Sequence, residues 1–171
     1  MVTRRQAREW AVMMLCECDL NPPDSMESAL AAFWDMQRDI EVDGVKEGAF
    51  AIREAFTGKG RKHAASLVDM KAFAEERIMG VLARLDEIDA ALDPFLDHWS
   101  LYRLGTVERS VLRLGAWEIA YATDIPAPIA INEAVDIAKF FSDSHSGRFV
   151  NGVLDRYAKS LSSQRTDDAA E

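Results

Sequence analysis

The chain has 171 residues, 49% hydrophobic and 29% charged, with a formal net charge of −9. That length suits one domain or two closely packed halves, and that apolar fraction supports a buried core. No run of about 18 uncharged apolar residues occurs to span a membrane; the charged start MVTRRQAREW lacks the features of a signal peptide, so a cytoplasmic protein is expected.

Helical periodicity runs through the sequence, with no strand-like alternation, and predicts an all-α fold. The first helix runs from about Thr3 to Asp19. Thr3 can cap it, and Ala7, Trp10, Ala11, Met14 and Leu15 form one apolar stripe. Arg4, Arg5 and Arg8 stand at its start, largely off that stripe. Cys16 and Cys18 lie two apart on this helix and point in different directions, so free thiols are expected rather than a disulfide or a metal site. Asn21-Pro22-Pro23 ends the element. Asp24 or Ser25 caps a second helix, to about Asp39, carrying Leu30, Phe33, Trp34 and Gln37, and a third covers about Val45–Phe56. Thr57–Lys62 reads as a loop by its glycines, without the spacing of a phosphate-binding P-loop. A long helical stretch follows, about Leu67–Trp99, with a bend near Asp86–Asp89 or a fresh start at Asp93-Pro94. Thr106 caps a helix to about Tyr121 that carries Val107, Val111, Leu114, Trp117 and Ile119. Asp124–Pro128 is a rigid connector, and Ile131, Val135 and Ala138 mark the next helix. Ser142–Gly147 is a turn. The last helix, about Arg148–Leu161, buries Val150, Val153, Leu154 and Tyr157. The polar segment 162–171 is expected to be a disordered tail.

The acid excess is concentrated in the middle. Residues 1–10 carry three Arg against one Glu, residues 11–99 nine basic against eighteen acidic groups, and residues 100–160 seven of each. Screening over about 8–10 Å allows a local basic patch to work on an acidic protein. Arg4, Arg5 and Arg8 form one such patch. They sit at the positive end of a helix dipole, which favours an external anion, and guanidinium groups suit phosphates and base edges; a solvated helix start is the other reading. At Ser142–Arg148 a helix start offers free N–H groups for a phosphate, with Ser144, Ser146 and Gly147 permitting close approach and Arg148 adding charge. Phe149 either stacks on an unpaired base or packs in the core. Arg109 and Arg113 share one face, where surface pairing with Glu118 or another acid is the reading from spacing. Asn132 and Glu133 read as caps or hydrogen-bond partners of the connector, and Asn151 and Gly152 as a place of close helix packing. His63, His98 and His145 are scattered, with no ligand pair, nucleophile elbow or dinucleotide fingerprint, so no catalysis, metal or cofactor is expected.

Four strings carry a resemblance: RRQARE at Arg4–Glu9, TVERSVLRLGAWEI at Thr106–Ile119, DIPAPIAINEAVDIAK at Asp124–Lys139 and FVNGVLD at Phe149–Asp155. In that order they resemble the NusB family, nearly continuously from Trp99 to Tyr157 and poorly over 24–66. The resemblance implies about seven helices in two packed halves, about 1–66 and 67–161. It implies a transcription antitermination factor that binds boxA-type single-stranded RNA together with NusE, a small-subunit ribosomal protein. That pair would join the RNA polymerase antitermination complex, chiefly on ribosomal RNA operons. By the same resemblance Arg4, Arg5, Arg8, Arg113, Ser146, Arg148 and Phe149 are RNA contacts and Glu108 meets NusE; a homodimer is also allowed. Gln6 stands where the family commonly has another Arg, and His145 where it often has an acid. Two alternatives remain: an accessory domain like that of RNA cytosine methyltransferases, though no catalytic motif follows here, and a protein-only scaffold.

Overall fold

The computed structural model describes residues 3–39, 61–97 and 99–168. These contain seven α-helices and no strand: α1 Arg4–Leu20, α2 Met26–Asp39, α3 Arg61–Leu82, α4 Leu85–Leu92, α5 Thr106–Tyr121, α6 Ala127–Phe141 and α7 Ser144–Asp168, with 3-10 turns at Asp93–Phe95 and Leu101–Arg103. None of these helices is long and apolar enough to cross a membrane. The expected helix Val45–Phe56, the loop residues 57–60 and His98 lie outside the described residues. The chain divides into two compact units, Met1–Glu76 and Arg77–Glu171, with the boundary inside α3.

The first unit holds the aromatic cluster that the apolar stripes of α1 and α2 announce. Trp10 and Trp34 are buried and meet edge to face, ring centroids 5.4 Å apart at 83°. Phe33 meets Trp34 in the same manner at 4.9 Å. Such pairs add about 0.5–1.5 kcal/mol to the gain from burial. The Trp34 indole N–H donates to Glu75 Oε1 at 2.6 Å, which satisfies its one polar atom. Ser25, not Asp24, caps α2: its hydroxyl accepts from the Ser28 N–H at 3.3 Å. Both cysteines are free thiols, Cys18 buried beside Met26.

The second unit is organised around α5, whose residues Ser110–Ile119 are all buried. A helix covered on every side must neutralise its own polar groups. Glu118 accepts from Arg77 Nε at 2.6 Å, and Arg77 Nη2 continues to the Asp124 carboxylate at 3.1 and 3.2 Å. This pairing holds the Asp124–Pro126 connector, whereas Asn132, expected to do so, is exposed on α6. Glycines allow close helix approach: a Cβ on Gly80 would lie 2.3 Å from the Trp117 ring, and one on Gly115 would lie 2.5 Å from Leu154. Gly152, expected to serve the same purpose, is exposed, and a Cβ there would meet nothing within 4 Å.

Several boundaries differ from the sequence reading: the last helix begins at Ser144 rather than Arg148, so Ser144–Gly147 form its first turn instead of belonging to the expected Ser142–Gly147 turn. The long stretch breaks at Ala83-Arg84 rather than at Asp86–Asp89, and Gly105 rather than Thr106 is the N-cap of α5. The last helix continues past Leu161 to Asp168, with the Ser162 and Ser163 hydroxyls turned back onto the Ala158 and Lys159 carbonyls at 3.0 and 3.1 Å.

Candidate nucleic-acid and partner interface

The start of α1 is built by a capping box. The Thr3 hydroxyl accepts from the Gln6 N–H at 3.2 Å, and the Gln6 side-chain oxygen accepts from the Thr3 N–H at 2.9 Å. Arginine, having no acceptor, could not close this box, so Gln6 trades a cation for a fixed helix start. The three arginines then diverge. Arg4 is exposed and Arg5 half-exposed. Arg8 is only 4% exposed, with its guanidinium 5.1 Å from the Phe73 centroid and Nη1 donating to the Arg4 carbonyl at 3.4 Å. Position 8 lies three and seven residues before the buried Ala11 and Leu15, so it turns inward. Arg4 stands over the same Phe73 ring at 5.5 Å while keeping contact with solvent. The expected trio is therefore an outward pair with a buried cation beneath it.

The start of α7 differs from an open phosphate cradle. Asp143 Oδ1 accepts from the backbone N–H groups of His145 and Ser146, both at 2.8 Å. The protein's own carboxylate thus occupies the expected anion position. The bond from the Ser146 N–H is the chief cause holding the Asp143 carboxyl below its ordinary range. Ser146 is also engaged: its hydroxyl donates to Glu108 Oε1 at 2.6 Å, and Ser142 donates to the same oxygen at 2.9 Å. Burial acts to raise the Glu108 carboxyl, but the hydrogen bonds from Ser146, its own backbone and Ser142 outweigh it and hold it low. Glu108 and Ser146, expected as separate partner and RNA contacts, are one knot that ties α5 to the α6–α7 turn. Arg148 is exposed and donates to His145 Nδ1 at 2.9 Å; Phe149 is half-exposed, between the two roles expected of it.

Arg113 needs the largest correction. It is 3% exposed, and its Nε and Nη2 donate to the two Asp89 oxygens at 2.8 and 2.7 Å. Its partner is an acid, as one reading held, but the pair is internal rather than a surface bridge. Arg109 likewise acts within the unit, with Nη1 donating to the Leu101, Tyr102 and Leu104 carbonyls at 3.4, 3.2 and 3.1 Å.

That clamp presents groups that sequence reasoning did not select. Trp99 is 54% and Tyr102 69% exposed, and Arg103 stacks on Trp99 at 5.5 Å. The loop before them is fixed where Asp97 adopts a left-handed backbone (φ 52°) and Arg156 grips its carboxylate at 2.8 and 3.0 Å. Phe140, at the end of α6, is also exposed. None stands out in sequence because an apolar residue near a helix end is ordinarily core. Among the described residues no group of three or more His, Cys, Asp and Glu side chains is placed to hold a metal ion.

Two helical units, with no strand among the described residues, define the class: a small all-α protein, with exposed aromatics at helix ends and turns of the second unit. Comparison with known proteins makes the assignment particular. The NusB family model matches residues 5–159, and the chain belongs to the NusB family. Transcription antitermination protein NusB of Thermodesulfovibrio yellowstonii is 31% identical over 163 residues, 91% of each chain. The solved structure of T. maritima NusB matches with a TM-score of 0.60 at 31% identity, over 92% of each chain. A structure of antitermination factors NusB and NusE with double-stranded RNA matches with a TM-score of 0.67 over 92% of this chain and 96% of that one; at 24% identity this likeness carries the fold alone.

Proposed function

We propose that this protein is a transcription antitermination factor that binds boxA-type single-stranded RNA and a NusE-like ribosomal protein, and with them joins an RNA polymerase complex on ribosomal RNA operons. The observation that carries the reading is family membership over nearly the whole chain, with relatives named as antitermination proteins. The surface groups agree with it. Arg4 and Arg5 in the first unit, and Arg148 and Phe149 in the second, are at least partly open to solvent. They combine charge for phosphates with a ring for an unpaired base. Arg8 and Arg113 support this from within: Arg8 underlies the α1 start, and Arg113 holds α5 to α4. Glu108 and Ser146 set the α5–α7 junction, while Trp99 and Tyr102 offer the apolar anchors that a protein partner uses.

The test is RNA affinity by fluorescence anisotropy, with and without purified NusE, using a boxA-like strand and a scrambled control. Preference for boxA that NusE strengthens, and that Arg5→Ala and Phe149→Ala each weaken, supports the reading. Binding should also fall steeply with salt, as phosphate contacts require. Failure to bind either strand in the presence of NusE would overturn it and leave a protein-only scaffold.

A further inference from the structure

The corner between α6 and α7 carries an aromatic and a cation that the reading above does not use. Phe140 is 49% exposed on the last turn of α6. Its ring meets the half-buried Phe141 ring in a T-shaped contact, 5.0 Å between centroids at 77°. That contact orients Phe140 without covering it. The preceding Lys139 lies across the first turn of α7: a Cβ on Gly147 would come within 2.6 Å of Lys139 Cγ and 2.9 Å of Cε. The stem thus packs directly against the α7 backbone at Gly147. The Lys139 ammonium is half-exposed and only loosely paired, 4.0 Å from Asp136. Arg148, exposed, directly follows Gly147. The nearest acid of the turn, Asp143, has one carboxylate oxygen committed to capping α7.

We infer that Phe140 is a base-stacking platform for single-stranded RNA, with Lys139 meeting an adjoining phosphate. The inference rests on the RNA-binding reading and adds the end of α6 to its surface. An exposed ring next in the chain to a cation that reaches solvent suits an unpaired nucleotide, because every base has a π-face and every linkage a negative charge. A protein partner would use the same ring as an apolar anchor, and the measurement separates that occupant by its dependence on NusE.

The experiment measures affinity for the boxA-like strand across a salt series, with NusE absent and then present. Phe140→Ala and Phe140→Leu should each weaken binding by about 5- to 100-fold, while Phe140→Tyr retains it, since a stacked ring contributes through its face. The salt slope should not change in these variants. Lys139→Gln should instead make the slope shallower by about 0.7, the share of one phosphate on a single strand. If Phe140→Ala and Phe140→Leu bind like the parent while Phe149→Ala weakens binding, RNA recognition stands and this inference falls. If Phe140→Ala alters only the gain conferred by NusE, the ring is a protein contact and the inference falls. Absence of RNA binding by the parent chain removes both. Circular dichroism of each variant confirms the unchanged fold expected of an exposed site.

Discussion

Replacing Arg113 by Met separates an internal frame from an RNA contact. The guanidinium and the Asp89 carboxylate are 4% and 10% exposed and joined by two short hydrogen bonds. Removing the cation leaves a carboxylate desolvated and unpaired. Breaking a buried pair in this way costs about 3–5 kcal/mol, a large share of the 5–15 kcal/mol or so that holds an ordinary domain together. Arg113→Met should therefore lower the urea midpoint, followed by far-UV circular dichroism, with little change in slope. The double variant Arg113→Met/Asp89→Leu should recover most of the loss, because apolar replacements of a buried pair pack without a desolvated charge. RNA affinity of the double variant should stay within about twofold of the parent, far less than the ΔΔG of about 1.5–3 kcal/mol typical of a lost charged hydrogen bond. If Arg113→Met were stable to within about 1 kcal/mol while RNA binding collapsed, the guanidinium would be working at the surface and the frame argument would be refuted.

Gln6→Arg would restore the fuller arginine run but remove the acceptor of the capping box; thermal stability should fall by about 0.5–1 kcal/mol while RNA affinity rises, so melting and binding move in opposite directions. Gly152→Ala, with open space around it, should stabilise α7 by about 0.5–1 kcal/mol, whereas Gly115→Ala, driven into Leu154, should cost about 1–3 kcal/mol; chemical denaturation of the pair reads both. Asp143 and Glu108 have carboxyls held below their ordinary range in the fold. Their contribution is present above the unfolded carboxyl range and is lost as pH falls through the lowered folded values. Melts from pH 7 to pH 3 should show Asp143→Asn, which caps without titrating, closing its gap to the parent as acid is added.

The periodic elements were legible because burial follows period: Ala7, Trp10, Ala11, Met14 and Leu15 on α1, and Val150, Val153, Leu154 and Tyr157 on α7, are all buried. The Thr3–Gln6 capping box is also written in the sequence, as Thr-x-x-Gln. The Ala83-Arg84 break is not, since neither residue is a breaker. The site was less legible because a one-letter sequence does not record which way a charge points. Arg4 and Arg8 are one turn apart, yet one reaches solvent and the other covers Phe73 from within. Arg113 looks like a surface cation until Asp89, twenty-four positions earlier, is brought against it.

That sorting of arginines bears on how such a chain would hold RNA. Arg77, Arg109 and Arg113 spend their donors on Glu118, Asp124, Asp89 and the carbonyls of the Leu101–Arg103 turn. They stiffen the second unit but offer little to a ligand. The cationic surface is therefore smaller than a count of arginines suggests, on a protein already at −9. Under the proposed function, fewer phosphate contacts mean a shallower salt dependence. The remaining affinity must come from stacked rings and from a partner bound alongside. Rings at least partly open to solvent are available for both demands under that reading: Phe140 at the end of α6, Phe149 on α7, and Trp99 and Tyr102 before α5. An RNA surface reduced in charge and rich in rings would make the partner protein a condition of tight binding rather than an addition to it. Titration with NusE at several salt concentrations measures that dependence directly.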